Sequence, residues 1–144
     1  MIVYKHIRNT NNIGDRWCSP YDHVVGLKDT GIALDLDEPT PPGAQAVVFG
    51  GGKIMGSLRA KLTATDLATP VRVAWGVSTV QSFPISPRYW RAFRAMTLVG
   101  SRDWGDTRFA FAPCASCAAQ VFDQAPAETD DVVAYLHHWR APEM

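Results

Sequence analysis

The sequence predicts an open α/β fold, a mostly parallel sheet with helices on both faces. Three observations carry that expectation. Apolar, β-branched runs alternate with helical segments at short intervals, the order that builds parallel sheets. Three of those runs end in polar or glycine-rich turns, "NNIGD", "GGGK" and "GSRD". The chain has 144 residues, 47% hydrophobic and 19% charged, enough for one domain with a packed core.

The elements follow in order. "MIVYKHI" (1–7) is rich in β-branched and aromatic residues and reads as the first strand. It breaks at the turn residues "RNTNNIGD" (8–15). "RWCSPYDHVVGL" (16–27) reads as helical, with Pro20 limiting its start. "GIALDLDE" (31–38) alternates apolar and acidic positions, as a short strand does. "PTPPG" (39–43) is a loop, and "AQAVVFGG" (44–51) is the clearest buried strand.

"KIMGSLRAKLTATD" (53–66) repeats Ile54, Leu58 and Leu62 at a four-residue spacing, one apolar helix face. "TPVRVAWGVS" (69–78) is the next strand. "ISPRYWRAFRAM" (85–96) has Ser86 as N-cap, Pro87 at the first helical position, and Trp90 and Phe93 on one side. "MTLVGSRDWG" (96–105) is a strand running into a polar turn, and "CASCAAQVFDQ" (114–124) a short helix. "DQAPAET" (123–129) reads as a linker. The apolar run Val132–Leu136 behind it reads as one further strand.

The totals exclude several functions. Fourteen basic residues balance fourteen acidic ones. Such a chain lacks the basic footprint of a nucleic-acid binder and the polybasic run of a membrane-surface protein. No apolar stretch approaches the ~20 residues that span a bilayer, and the start lacks the pattern of a secretory signal. An odd cysteine count, Cys18, Cys114 and Cys117, argues against a disulfide framework. The expectation is a soluble cytoplasmic protein.

Candidate chemistry lies in the turns, because ligands of open α/β sheets sit outside the carboxyl ends of the strands. "GGGK" matches neither the phosphate loop nor the dinucleotide fingerprint, since both spacings are missing. Gly50, Gly51 and Gly52 are either a tight corner or a place where free amides near Gly51–Lys53 meet an anion or a sugar hydroxyl. Asp15 either caps the helix that follows it or, with Asn12, bonds polyol hydroxyls or acts as a base. Arg102 either joins a surface ion pair or holds a carboxylate or phosphate in its planar fork, with Asp103 orienting the turn. Cys114 and Cys117 form a C-x-x-C without the second pair that zinc needs, so they read as structural or buried thiols. No metal or cofactor is expected.

Taken in order, "NTNNIGDRWCSPYDHV", "VVFGGGKIM", "VAWGVS", "VGSRDWG" and "APCASC" resemble the polysaccharide pyruvyl transferase family. The likeness runs over roughly residues 9–138. Members resemble two-domain GT-B glycosyltransferases, with two Rossmann-like halves facing a cleft. They move a pyruvyl group from phosphoenolpyruvate to a sugar, forming a ketal.

The resemblance implies that Arg102 and Asp103 serve the anionic donor, phosphoenolpyruvate. It implies that Asn12, Gly14, Asp15, Gly50, Gly51 and Gly52 face the acceptor, a sugar or lipid-linked oligosaccharide, and that Asp15 and Arg102 act in catalysis. Members are more than twice as long. On that comparison residues 1–123 are a Rossmann-like N-terminal domain, and 124–144 are a linker and the first strand of a second. Such a half is expected to be inactive by itself, the alternative function being a non-catalytic α/β module that binds a sugar or a protein. Its apolar strand is expected either to add to its own sheet or to pair with another copy through residues 132–138.

Overall fold

A computed structural model of the chain describes residues 1–52, 54, 58, 60–78 and 87–120. The expected linker and further strand, with His137 and His138, lie outside them.

Six parallel strands form one sheet: β1 (Ile2–His6), β2 (Gly31–Asp35), β3 (Ala46–Phe49), β4 (Val71–Val77), β5 (Leu98–Ser101) and β6 (Ala110–Phe111). Their spatial order is β2-β1-β3-β4-β5-β6, all neighbours parallel, with helices on both faces. This is the expected open, Rossmann-like α/β architecture. The order reverses between β1 and β3, so a crevice opens outside their carboxyl ends.

Position in the sheet explains strand composition. β1 lies between β2 and β3 and is buried from Val3 to His6. A strand covered on both faces carries a continuous run rather than alternation. β2 is an edge strand, half-buried along its whole length, which suits its mixture of apolar and acidic residues. Val3, Val47, Phe49, Ala74, Val77 and Val99 form the sheet's share of the core.

Ile54 and Leu58 are fully buried against that core, and Leu62 packs beside them. Backbone bonds Leu58 N–H to Ile54 O and Leu62 N–H to Leu58 O confirm the four-residue repeat. The helical run does not reach Asp66 as one piece. Thr63 caps a separate helix, Ala64–Ala68, through a capping box closed by Asp66.

The helix read over 16–27 is only one short turn, α2 (Pro20–His23), and a second, α1 (Ile13–Arg16), starts inside the stretch 8–15 that was read as a turn. Pro20 can open a helix but cannot continue one, so the chain breaks before it. Ala64–Ala68 is α3 and Pro87–Arg94 is α4. Pro87 is the first residue of α4, as expected, while Ser86 lies outside the described residues. Phe93 packs on Phe109 with ring centroids 4.7 Å apart, and Trp90 lies edge-on to Phe93 at 6.0 Å. Of the helix read over 114–124, a single 3-10 turn, Ala115–Ala118, is formed within the described residues, with Cys114 just before it.

One polar group sits inside the core. Lys5 of β1 and Asp66 of α3 are both fully buried, with Lys5 Nζ 3.0 Å from each carboxylate oxygen. Thr40 Oγ1 and the Thr63 N–H also donate to Asp66. The pair ties β1 to α3 and to the loop before β3.

Candidate functional site

The three turns singled out above lie at one edge of the sheet, outside the carboxyl ends of β1, β3 and β5. After β1, Asn12 caps α1: its Oδ1 accepts the Gly14 N–H at 3.0 Å. Its Nδ2 donates to Asp15 Oδ2 at 3.0 Å. The capping role considered for Asp15 therefore belongs to Asn12, because the helix starts a turn earlier than expected. Asp15 is held from its neighbour and stays half-buried.

The glycine turn after β3 is a corner of close backbone approach. A Cβ on Gly51 would lie 2.7 Å from Gly76 O, and one on Gly50 3.0 Å from Cys18 O. The Gly50 amide donates to Lys5 O at 2.7 Å and the Gly51 amide to Cys18 O at 3.1 Å. These two amides are thus engaged by the fold and are not free for a ligand. That corrects the expectation of free amides at Gly51: the β1–β3 ladder runs on through Gly50, and the Gly51 amide is taken by the connection between α1 and α2. Gly52 takes φ +84°, and the place its Cβ would occupy is 3.1 Å from Asp15 Oδ1. Only glycine lets the Asp15 carboxylate lie so close over the turn.

The ladder carries on to β4 and β5. Ser78 N–H donates to Gly52 O at 2.9 Å, and Arg102 N–H to Val77 O at 3.1 Å. Ser78 Oγ lies 3.1 and 3.2 Å from the two Asp103 carboxylate oxygens. The Asp103 N–H returns to Ser101 Oγ at 3.1 Å. Asp103 therefore pins the turn that presents Arg102. The Arg102 side chain is exposed and pairs with no carboxylate among the described residues.

Cys18 lies beneath this edge. It is fully buried, and its thiol donates to Asp15 O at 2.9 Å. Burial, then the nearby Cys114 and Asp15, push the thiol up to about 12, while Arg102 pulls the other way. Residues from the turn after β1, the turn after β5 and the C-x-x-C segment are thus within electrostatic reach of one atom. Cys114 is half-buried and Cys117 exposed, so the reading of buried thiols holds for neither fully. Among the described residues no cluster of His, Cys, Asp and Glu is arranged to hold a metal.

No family model, curated protein or solved structure matches this chain. Among the described residues no helix is long and apolar enough to cross a membrane.

Sequence reasoning passed over two residues of this edge. Ser78 ends "VAWGVS" at the carboxyl end of β4, and His6 ends β1. Both stand at the strand positions where open sheets place ligand contacts, which was the available signal.

Alkylation separates the thiols. A thiol held at about 12 is thiolate in roughly one part in ten thousand at pH 8, and only the thiolate reacts. Iodoacetamide is expected to modify Cys117 in the folded protein and to leave Cys18 intact until denaturant is added. Peptide mass mapping reads the order.

Proposed function

We propose that the chain is a sugar-binding α/β module whose binding edge is the carboxyl end of its sheet. One observation carries this. The Gly52 corner, Ser78 and the Arg102 turn are joined edge to edge by backbone and side-chain bonds. Asp15, up to 87 residues away in the chain, lies over the same corner with its Oδ1 3.1 Å from the Cβ position of Gly52. A half-buried carboxylate and an exposed guanidinium on one rigid rim suit a ligand that carries both hydroxyls and an anionic group.

The more specific reading is a polysaccharide pyruvyl transferase-like protein. It is favoured by the fact that the residues carrying the family resemblance are those at this rim. In that chemistry two sugar hydroxyl oxygens add to the enol carbon of phosphoenolpyruvate. The methylene gains a proton to become methyl, and inorganic phosphate leaves. Asp15 takes a hydroxyl proton, and Arg102 holds the donor's carboxylate or phosphate. Asp103 acts by fixing the Arg102 turn through Ser78. The acceptor is a sugar of a cell-surface polysaccharide or its lipid-linked precursor.

The test is a calorimetric titration of phosphoenolpyruvate against the protein and Arg102→Ala. Losing a charge-assisted fork weakens binding by about tenfold or more. Equal affinity for both proteins removes the donor role and leaves the sugar-binding module, for which Asp15→Asn is the variant that weakens sugar.

A further inference from the structure

We propose that a second cleft, over the carboxyl ends of β1 and β2, binds a neutral saccharide ring. None of Asn12, Asp15, Gly50–Gly52 and Arg102 lines it, so it stands on its own residues. Its volume is about 780 Å³, inside the range of small-molecule sites.

The floor is fixed by its own bonds. Asp35 Oδ2 accepts the Arg8 and Asn9 N–H groups at 3.0 and 3.1 Å, and Glu38 Oε2 accepts the Asp35 N–H at 2.6 Å. Lys61 pairs with Asp37 at 3.1 Å across the mouth. These contacts use up four of the charged groups that line the cleft.

What remains is a mixed set of donors and acceptors. Arg16 is exposed and has no carboxylate within 4 Å among the described residues; the Arg8 guanidinium donates to the Ala33 carbonyl at 3.0 Å and likewise meets no acid. Among the described residues the one cationic or imidazole nitrogen within 4 Å of the Asp22 carboxylate is His6 Nε2, at 3.9 Å. His6 is 3% exposed on the cleft wall, and its buried Nδ1 finds no hydrogen-bond partner among the described residues. Buried polar atoms are rarely left so.

Charge selects the ligand class. Three cations and four carboxylates line the cleft. A phosphate would face the four carboxylates, and a cationic ligand would face the three cations. A hydroxyl donates and accepts at once, so vicinal hydroxyls can bridge Arg16 or Arg8 to Asp22 without burying net charge.

The experiment is a set of amide NMR titrations of the full chain. The probes are glucose, galactose, mannose and N-acetylglucosamine, with glucuronate and inorganic phosphate as anionic arms. At least one neutral sugar is expected to shift Asn9, Arg16 and Asp22 saturably. Arg16→Ala and Asp22→Asn, both at exposed side chains, are each expected to weaken that sugar by about tenfold. Three results overturn the proposal: no neutral sugar shifts these amides, only the anions do, or the two cleft variants bind as the parent does.

Discussion

Replacing Lys5 by methionine is expected to cost about 3–5 kcal/mol of folding stability. Both partners of the Lys5–Asp66 pair are fully buried. Removing the ammonium leaves a carboxylate in the core with, among the described residues, the Thr40 hydroxyl and the Thr63 amide to hold it. Chemical denaturation reads the loss as a lower midpoint. Lys5→Met with Asp66→Asn is expected to recover part of it, because the uncompensated charge is gone. A double variant no better than the single would show that the cost is packing alone.

The same pair sets a pH dependence. Burial by itself would raise the Asp66 carboxyl. The bonds from Thr40, Thr63 and Lys5, with the Lys5 charge, outweigh burial and hold it below its ordinary 3.8. A carboxyl lowered by folding stabilises above its unfolded pKa, and that contribution drains away as pH falls through the folded value. Wild type should therefore lose stability below about pH 4. Lys5→Met should lose less over the same range, since its Asp66 has a weaker reason to stay charged. Parallel acid curves would exclude this account.

Much of the fold was legible because buried parallel strands are written as continuous apolar runs. "VYKHI" and "AVVF" lie where they were expected, and the turns after them gather at one edge as the carboxyl-end rule requires. β6 was missed: two residues, Ala110–Phe111, carry no pattern, and only the neighbouring strand makes them a strand. Lys5 was invisible for a similar reason. A lysine in an apolar strand announces nothing about its partner 61 residues away. The site divided along the same line. Asp15 and Arg102 could be named from their turns, whereas the engagement of the Gly50 and Gly51 amides depends on where Lys5 and Cys18 lie in space.

Glycines show the division most sharply, and they carry the second large effect. Gly76→Ala is expected to cost about 2–4 kcal/mol, from overpacking and a left-handed backbone together. Gly76 has φ +60°, and a Cβ there would meet Pro113 O at 2.8 Å and Cys114 Cα at 3.2 Å. Both are main-chain atoms that cannot rotate away. Trp75 Nε1 already holds Pro113 O at 3.2 Å, so the segment is fastened on both sides. Gly43 is the internal control. It has φ +82° but nothing within 4 Å of its Cβ position, so Gly43→Ala should cost only about 1 kcal/mol. The difference isolates the contact from the backbone strain. Because β4 hands directly to Ser78, Gly76→Ala should also loosen the Ser78–Asp103 tie and the Arg102 turn. Thermal unfolding of both variants, with phosphoenolpyruvate affinity measured where Gly76→Ala is still folded, tests both parts. Equal losses for the two glycines would mean that the Pro113 segment yields to the methyl and does not constrain the site.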